Sequence, residues 1–160
     1  MTELEDDARP AGIQGLVFDL GGVVIDLDFG RVFARWGELA DADPVELRAR
    51  WAMDDAYERY PLYGFTNSNA THTACWERRY GDLLSPFETV FVSSTIGLRK
   101  PEARAFHFIA DTVGLPIGAL HFFDDSEENV LGARAAGMSA SHVTSFAELE
   151  AATNALGRAF

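Results

Sequence analysis

Asp124 and Asp125 stand side by side after an apolar run, Leu120-His121-Phe122-Phe123. Adjacent carboxylates at a strand end repel each other unless a cation or solvent screens them, so the pair is a candidate cation site, with helix capping by Asp125 as the ordinary alternative. Asp19 closes another apolar run, Leu16-Val17-Phe18. A carboxylate held there can serve as a nucleophile, although an aspartate after a strand is more commonly a turn or cap residue. Thr66-Asn67 ends a third run, Leu62-Tyr63-Gly64-Phe65, and Lys100 lies in the loop Gly97-Leu98-Arg99-Lys100-Pro101. Singly, Lys100 reads as a solvated surface lysine and Thr66 as a helix cap. A reactive site requires that separate chain segments bring these residues together.

The elements around them can do that. Leu16 to Asp19 and then Leu20-Gly21-Gly22-Val23-Val24-Ile25 form an apolar stretch broken by a glycine pair, the pattern of a buried strand ending in a tight loop. Its continuous apolar character predicts a parallel strand covered on both faces. Further strands are predicted at Leu62 to Phe65, Thr89 to Val92, Leu120 to Phe123 and near Ser141 to Val143. Between them, helices are predicted through Val32, Phe33, Trp36 and Leu39, from the Asp43-Pro44-Val45-Glu46 start, over 69–80, through Phe106 and Ile109 to Gly114, through Val130, Ala133 and Ala136 to Gly137, and from Ser145. Strands alternating with helices imply a doubly wound, Rossmann-like α/β sheet, mainly parallel, with helices on both faces. In such sheets ligands bind beyond the carboxyl ends of the strands, where Asp19, Thr66, Lys100 and Asp124-Asp125 all fall.

Bulk properties narrow the partners. With 160 residues, 48% of them apolar and 24% charged, the chain has the composition and length of one soluble globular domain. A net charge of −12 repels a phosphate backbone, so nucleic acid is not an expected partner, while local donors and a bound cation can still admit a small anion. No stretch approaches a membrane span; Cys75 is the sole cysteine and excludes an intrachain disulfide; the amino-terminal segment lacks a secretory pattern. A cytoplasmic location is expected. Residues 1–12 read as a flexible acidic tail and 13–160 as one domain. Cys75 reads as a buried small hydrophobe, and His72, His107, His121 and His142 lack metal-ligand spacing. The absence of a Gly-x-Ser-x-Gly elbow disfavours a serine hydrolase.

In order and spacing, Phe18-Asp19-Leu20-Gly21-Gly22-Val23, Phe65-Thr66-Asn67, Gly97-Leu98-Arg99-Lys100-Pro101 and Phe122-Phe123-Asp124-Asp125-Ser126 make the chain resemble the haloacid dehalogenase superfamily from about Gly15 to Val143. The nearest likeness is to the subgroup with an Asp-Leu-Gly-Gly-Val loop, which resembles sugar-phosphate phosphatases. The resemblance implies that Asp19 is a nucleophile forming an aspartyl-phosphate, and that Thr66 and the Asn67 backbone amide, with the Gly21-Gly22 loop, hold the phosphoryl group. It further implies that Lys100 neutralises charge shared by phosphate and nucleophile, and that Asp19, the Gly21 carbonyl, Asp124 and Asp125 bind Mg²⁺. A small phosphorylated metabolite is the implied substrate.

Two features depart from that family. Many of its phosphatases carry a second aspartate two residues after the nucleophile as general acid and base, where this chain has Gly21; Asp26 and Asp28 lie close by in sequence. Such help is worth about 10²- to 10⁴-fold in rate, so slow turnover or a preference for good leaving groups is expected. The insertion at 29–60 is short for a helical cap, and an open site with a reduced cap is expected. The rivals are a weakened phosphate- or protein-binding relative, a haloacid dehalogenase and a phosphorelay receiver. In a receiver the acidic pair comes first in the chain; here it comes last.

Overall fold

A computed structural model of the protein describes residues 12–24, 60–69 and 84–157, together with positions 71, 72, 74 and 78. The helices expected through Val32 to Leu39 and from Asp43, the reduced cap with its open site except for its last residue, Tyr60, and Asp26, Asp28, Cys75 and all but the last residue of the acidic tail lie outside the described residues.

Three apolar runs become the centre of the sheet. Strands β1 (Gly15–Phe18), β2 (Leu62–Thr66), β3 (Phe87–Val92), β4 (Leu120–Asp124) and β5 (Ser139–His142) are all parallel, in the order β3-β2-β1-β4-β5. Every residue of β1, β2 and β4 is buried, as a parallel strand covered on both faces requires. Around them run a single helical turn α1 (Ser93–Ile96), then α2 (Ala103–Val113), α3 (Glu127–Ala136) and α4 (Phe146–Gly157), with a short 3₁₀ turn at Ile117–Ala119. Positions 71, 72, 74 and 78 are helical, within the helix expected over 69–80. The last strand begins two residues before the expected Ser141 to Val143, and the turn α1 replaces an expected loop.

Alternation along each strand divides the core into two layers. On one face Val17, Phe65, Phe91 and Phe122 pack against Ala105, Phe106 and Ile109 of α2 and Val130 and Ala133 of α3; on the other Leu16, Phe18, Leu62 and Phe123 pack with Val143 and Leu149. Phe18 stacks on Phe123 with ring centroids 4.8 Å apart, and Phe106 meets Phe65 and Phe122 edge-on at 5.9 and 5.4 Å. Phe18, Phe65 and Phe123 lie one residue from Asp19, Thr66 and Asp124, so the aromatic core holds the carboxyl edge rigid. Chain order reverses beside β1: β2 and β3 extend to one side, and the chain then returns to place β4 on the other. The crevice between β1 and β4 is the switch point at which doubly wound sheets bind ligands. Among the described residues no helix is long and apolar enough to cross a membrane.

His121 of β4 is the buried member of the four histidines; His72, His107 and His142 are exposed. Its Nδ1 lies 2.8 Å from Ser139 Oγ and its Nε2 2.8 Å from Ser141 Oγ, both on β5. Ser139 donates its one hydroxyl proton to the Leu120 carbonyl, so it must accept from the ring: Nδ1 carries the proton and Nε2 accepts from Ser141. Burial, reinforced by Arg134, lowers the His121 pKa to about 4. An unfolded histidine takes up its proton near 6.5, so the folded form loses stability as pH falls from about 6.5 to about 4, and none of this contribution is lost above that window. The loss should total roughly 3 kcal/mol. Urea unfolding at pH 7 and pH 4.5 should show it in the native chain and much less of it in His121→Gln; equal losses in both would exclude His121 as the source.

Candidate active site

Four segments meet at the carboxyl edge. Asp19 directly follows β1, and its backbone N–H donates to the Phe123 carbonyl at 2.8 Å, continuing the β1–β4 ladder and fixing where its side chain emerges. Thr66 is the last residue of β2 and Asp124 the last of β4; both are buried, and Asp125 beside them is exposed. Lys100 comes from the loop between α1 and α2 and is only 2% exposed.

The lysine joins the set. Its Nζ donates to Asp19 Oδ1 at 2.6 Å, to Asp124 Oδ2 at 2.8 Å and to the Phe65 carbonyl at 3.0 Å, so each of its three protons has an acceptor. The faces of Phe65 and Phe122 lie 5.4 Å from the same nitrogen and add cation–π attraction. Buried charge is tolerated only when paired and fully hydrogen-bonded. Asp124 meets this condition: Oδ1 accepts from the Ser126 backbone N–H at 2.8 Å, and Asn129 Nδ2 lies 3.2 and 3.1 Å from the two oxygens. Among the described residues no buried side-chain nitrogen or oxygen lacks a partner.

One ammonium does not balance the local charge. Asp19, Asp124 and Asp125 each offer a carboxylate oxygen, and these oxygens lie within 4.8 Å of one another. Burial, the largest influence, pushes the Asp19 pKa up to about 7; Lys100 opposes the rise, and Asp124 and Asp125 add to it. Asp125 is raised as well, by partial burial first and then by Asp124. Asp19 and Asp125 thus hold protons more readily than free carboxylates; a second cation would offset the crowding, and the all-oxygen donor set suits a hard one such as Mg²⁺.

The loop after Asp19 is shaped around this cluster. Gly22 has φ of +79°, and a side-chain carbon there would overlap the Asp125 carboxylate. No other L-residue would fit without displacing Asp125. Gly21 lies between Asp19 and Gly22 and provides no side-chain acid. Asp125 is tied at its backbone as well, its carbonyl accepting from His142 Nε2 at 2.9 Å.

Asp19, Thr66, Lys100, Asp124 and Asp125 therefore occupy the expected edge, with Asp19, Lys100 and Asp124 in direct contact. Two contributions were not foreseen. Asn129, in the first turn of α3, reaches back to Asp124; a short amide is a poor helix-interior residue, and its place just after an acidic strand end was the available signal. The Asn67 carboxamide is occupied with the backbone of Lys100, accepting from its N–H at 2.9 Å and donating to its carbonyl at 3.0 Å. Lys100 is also the only lysine in the chain, every other strong cation being arginine. Where a compact ammonium is used once, its position is a cue to a specific electrostatic task.

Comparison with solved structures identifies the fold. The chain has the fold of the haloacid-dehalogenase-like hydrolases. Among solved structures, an uncharacterised protein from Corynebacterium glutamicum ATCC 13032 Kitasato superposes with a TM-score of 0.68 at 24% identity, over 91% of this chain and 95% of that one. A HAD family enzyme from Bacteroides thetaiotaomicron, solved in complex with magnesium and inorganic phosphate, superposes at 0.60 and 22% identity, over 82% and 94%. In sequence, the phosphatase MT3486 of Mycobacterium tuberculosis is 36% identical over 93 residues, which are 58% of this chain and 43% of that protein. The chain thus spans less than half the length of that relative. No family model matches it.

Proposed function

We propose that the protein is a Mg²⁺-dependent phosphatase of a small phosphorylated metabolite that works through an aspartyl-phosphate on Asp19. The observation that carries this reading is the buried Asp19–Lys100–Asp124 set, with Asp125 beside it, at the switch point of the sheet. The magnesium and phosphate bound by the Bacteroides enzyme, and the activity that names the mycobacterial relative, are consistent with it.

An ionised Asp19 oxygen attacks the phosphorus of the monoester, the bond to the leaving alkoxide breaks, and the phosphoryl group passes to the carboxylate. Water then attacks the same phosphorus, the bond from phosphorus to the Asp19 oxygen breaks, and inorganic phosphate and the Asp19 carboxylate are freed, the proton of water passing through solvent to the departed alkoxide. Lys100, already on Asp19, offsets the charge that builds as two anions approach. The Thr66 hydroxyl, the Asn67 backbone N–H and the loop at Gly21 and Gly22 hold the phosphoryl oxygens. Asp19, Asp124, Asp125 and the Gly21 carbonyl would hold Mg²⁺, which would supply charge neutralisation that one ammonium cannot. Asp19, protonated up to about 7 in the metal-free protein, must ionise to attack. Among the described residues, Asp124 is engaged by Lys100, Asn129 and Ser126, and Gly21 has no side chain. Neither therefore supplies a proton to the leaving group, and aryl or similarly good leaving groups should react fastest.

Hydrolysis of p-nitrophenyl phosphate tests this reading. Activity should vanish with chelator and return with Mg²⁺. Gly22→Ala, which displaces Asp125, should require about tenfold or more Mg²⁺ for half-maximal rate, the effect of losing a ligand's proper orientation. Metal-independent hydrolysis, or release of halide from a 2-haloacid in its place, would refute the proposal.

A further inference from the structure

We propose that Asn67 is a positioning residue that aims Lys100 through its backbone. The kinetic part of this inference rests on the phosphatase reading; the geometric part does not. The Asn67 carboxamide binds both the N–H and the carbonyl of Lys100, at 2.9 and 3.0 Å. Holding both polar groups of one residue fixes its Cα, and so the direction in which its side chain leaves the loop. Beyond that point a lysine has four rotatable bonds, and a flexible stem costs entropy to hold in one geometry. The ammonium must nonetheless meet three acceptors at 2.6 to 3.0 Å.

The clamp also sets Lys100 relative to the end of β2, because Asn67 is the residue after Thr66. On the other side of Lys100, Pro101 nests against α3 at Gly132. A side-chain carbon at Gly132 would lie 2.5 Å from the Pro101 carbonyl oxygen. A separate link joins the loop after β2 to the start of α1 without touching Lys100: Ser68 N–H donates to Ser93 Oγ at 3.0 Å, and Ser93 Oγ donates to the Ser68 carbonyl at 3.2 Å.

Because Lys100 is the only lysine, its accessibility can be read directly. The native chain, Asn67→Ala and Ser93→Ala would each be treated with an N-hydroxysuccinimide acetate under native conditions, and acetylation of the Lys100 peptide followed by mass spectrometry. Loss of two ordinary hydrogen bonds corresponds to about tenfold or more in a local opening equilibrium. Lys100 in Asn67→Ala should therefore acetylate about tenfold faster than in the native chain or Ser93→Ala, in a protein that is still folded in the absence of urea. With p-nitrophenyl phosphate, kcat of Asn67→Ala should fall by about a hundredfold, the cost of misplacing a reacting group by an ångström, and KM should change far less. If Asn67→Ala does not fold, Asn67→Asp, of the same size but lacking the donated bond, should show accelerated acetylation. The proposal is overturned if Lys100 in the folded Asn67 variant acetylates within about twofold of native, or if Ser93→Ala exposes Lys100 equally. Should the native chain hydrolyse no phosphomonoester, the phosphatase reading fails and the acetylation rates still decide the role of Asn67.

Discussion

Asp19→Asn is expected to lower phosphomonoester hydrolysis by on the order of 10⁴-fold or more while leaving the protein folded. The two halves of that expectation have different causes. An amide oxygen is a poor nucleophile toward phosphorus and cannot form the acyl phosphate, so the two-step route is lost. Folding should survive because Lys100 retains Asp124 and the Phe65 carbonyl, and the carboxamide oxygen of the substituted side chain can accept in place of the Asp19 carboxylate. Removal of a carboxylate whose pKa burial raises to about 7 also relieves repulsion from Asp124 and Asp125, so the variant should unfold at the same urea concentration as the native chain or a higher one. Acid-quenched mixtures should contain phosphorylated native protein and none of the variant. If the variant turned over at more than a few per cent of the native rate, Asp19 would not be the nucleophile.

The parts of this site visible in the sequence are those with a one-dimensional signature. β1, β2 and β4 are buried on both faces, and such strands appear as unbroken apolar runs, so the residues ending them, Asp19, Thr66 and Asp124, could be assigned to one edge before any coordinates. β5 was displaced by two residues because its sequence, Ser-Ala-Ser-His, lacks the apolar signature; two of its serines are there to bond His121 across the strand pair. The turn α1 is too short to show helical periodicity. Bonds between distant segments have no sequence period at all. Asn67 and Lys100 are 33 residues apart, and nothing along the chain indicates that the asparagine side chain, whose backbone amide is expected on the phosphoryl group, belongs to the lysine. The same holds for Asp19 and Lys100, 81 residues apart: their placement at one edge was inferable, their contact was not.

That contact carries the second large effect, in stability as well as in rate. Lys100→Met keeps the apolar stem between Phe65 and Phe122 but removes the cation shared by Asp19 and Asp124. Breaking a buried ion pair from one side costs roughly 3–5 kcal/mol, because the remaining charge is desolvated and unpaired. Here the remaining charges can partly escape that cost. Asp124 keeps its bonds from Ser126 and Asn129, whereas Asp19, already raised to about 7 with the lysine present, rises further and takes a proton. The destabilisation of metal-free Lys100→Met should therefore depend on pH in a definite direction. It should be greatest at pH 8, where the unfolded Asp19 is ionised and the folded one must either bear an uncompensated charge or hold a proton against the solution, and clearly smaller at pH 5. Urea unfolding of both chains at the two pH values, in chelator, measures the difference. A penalty that is equal at pH 5 and pH 8 would mean that Asp19 does not depend on Lys100 for its charge, and the electrostatic account of the site would have to be abandoned.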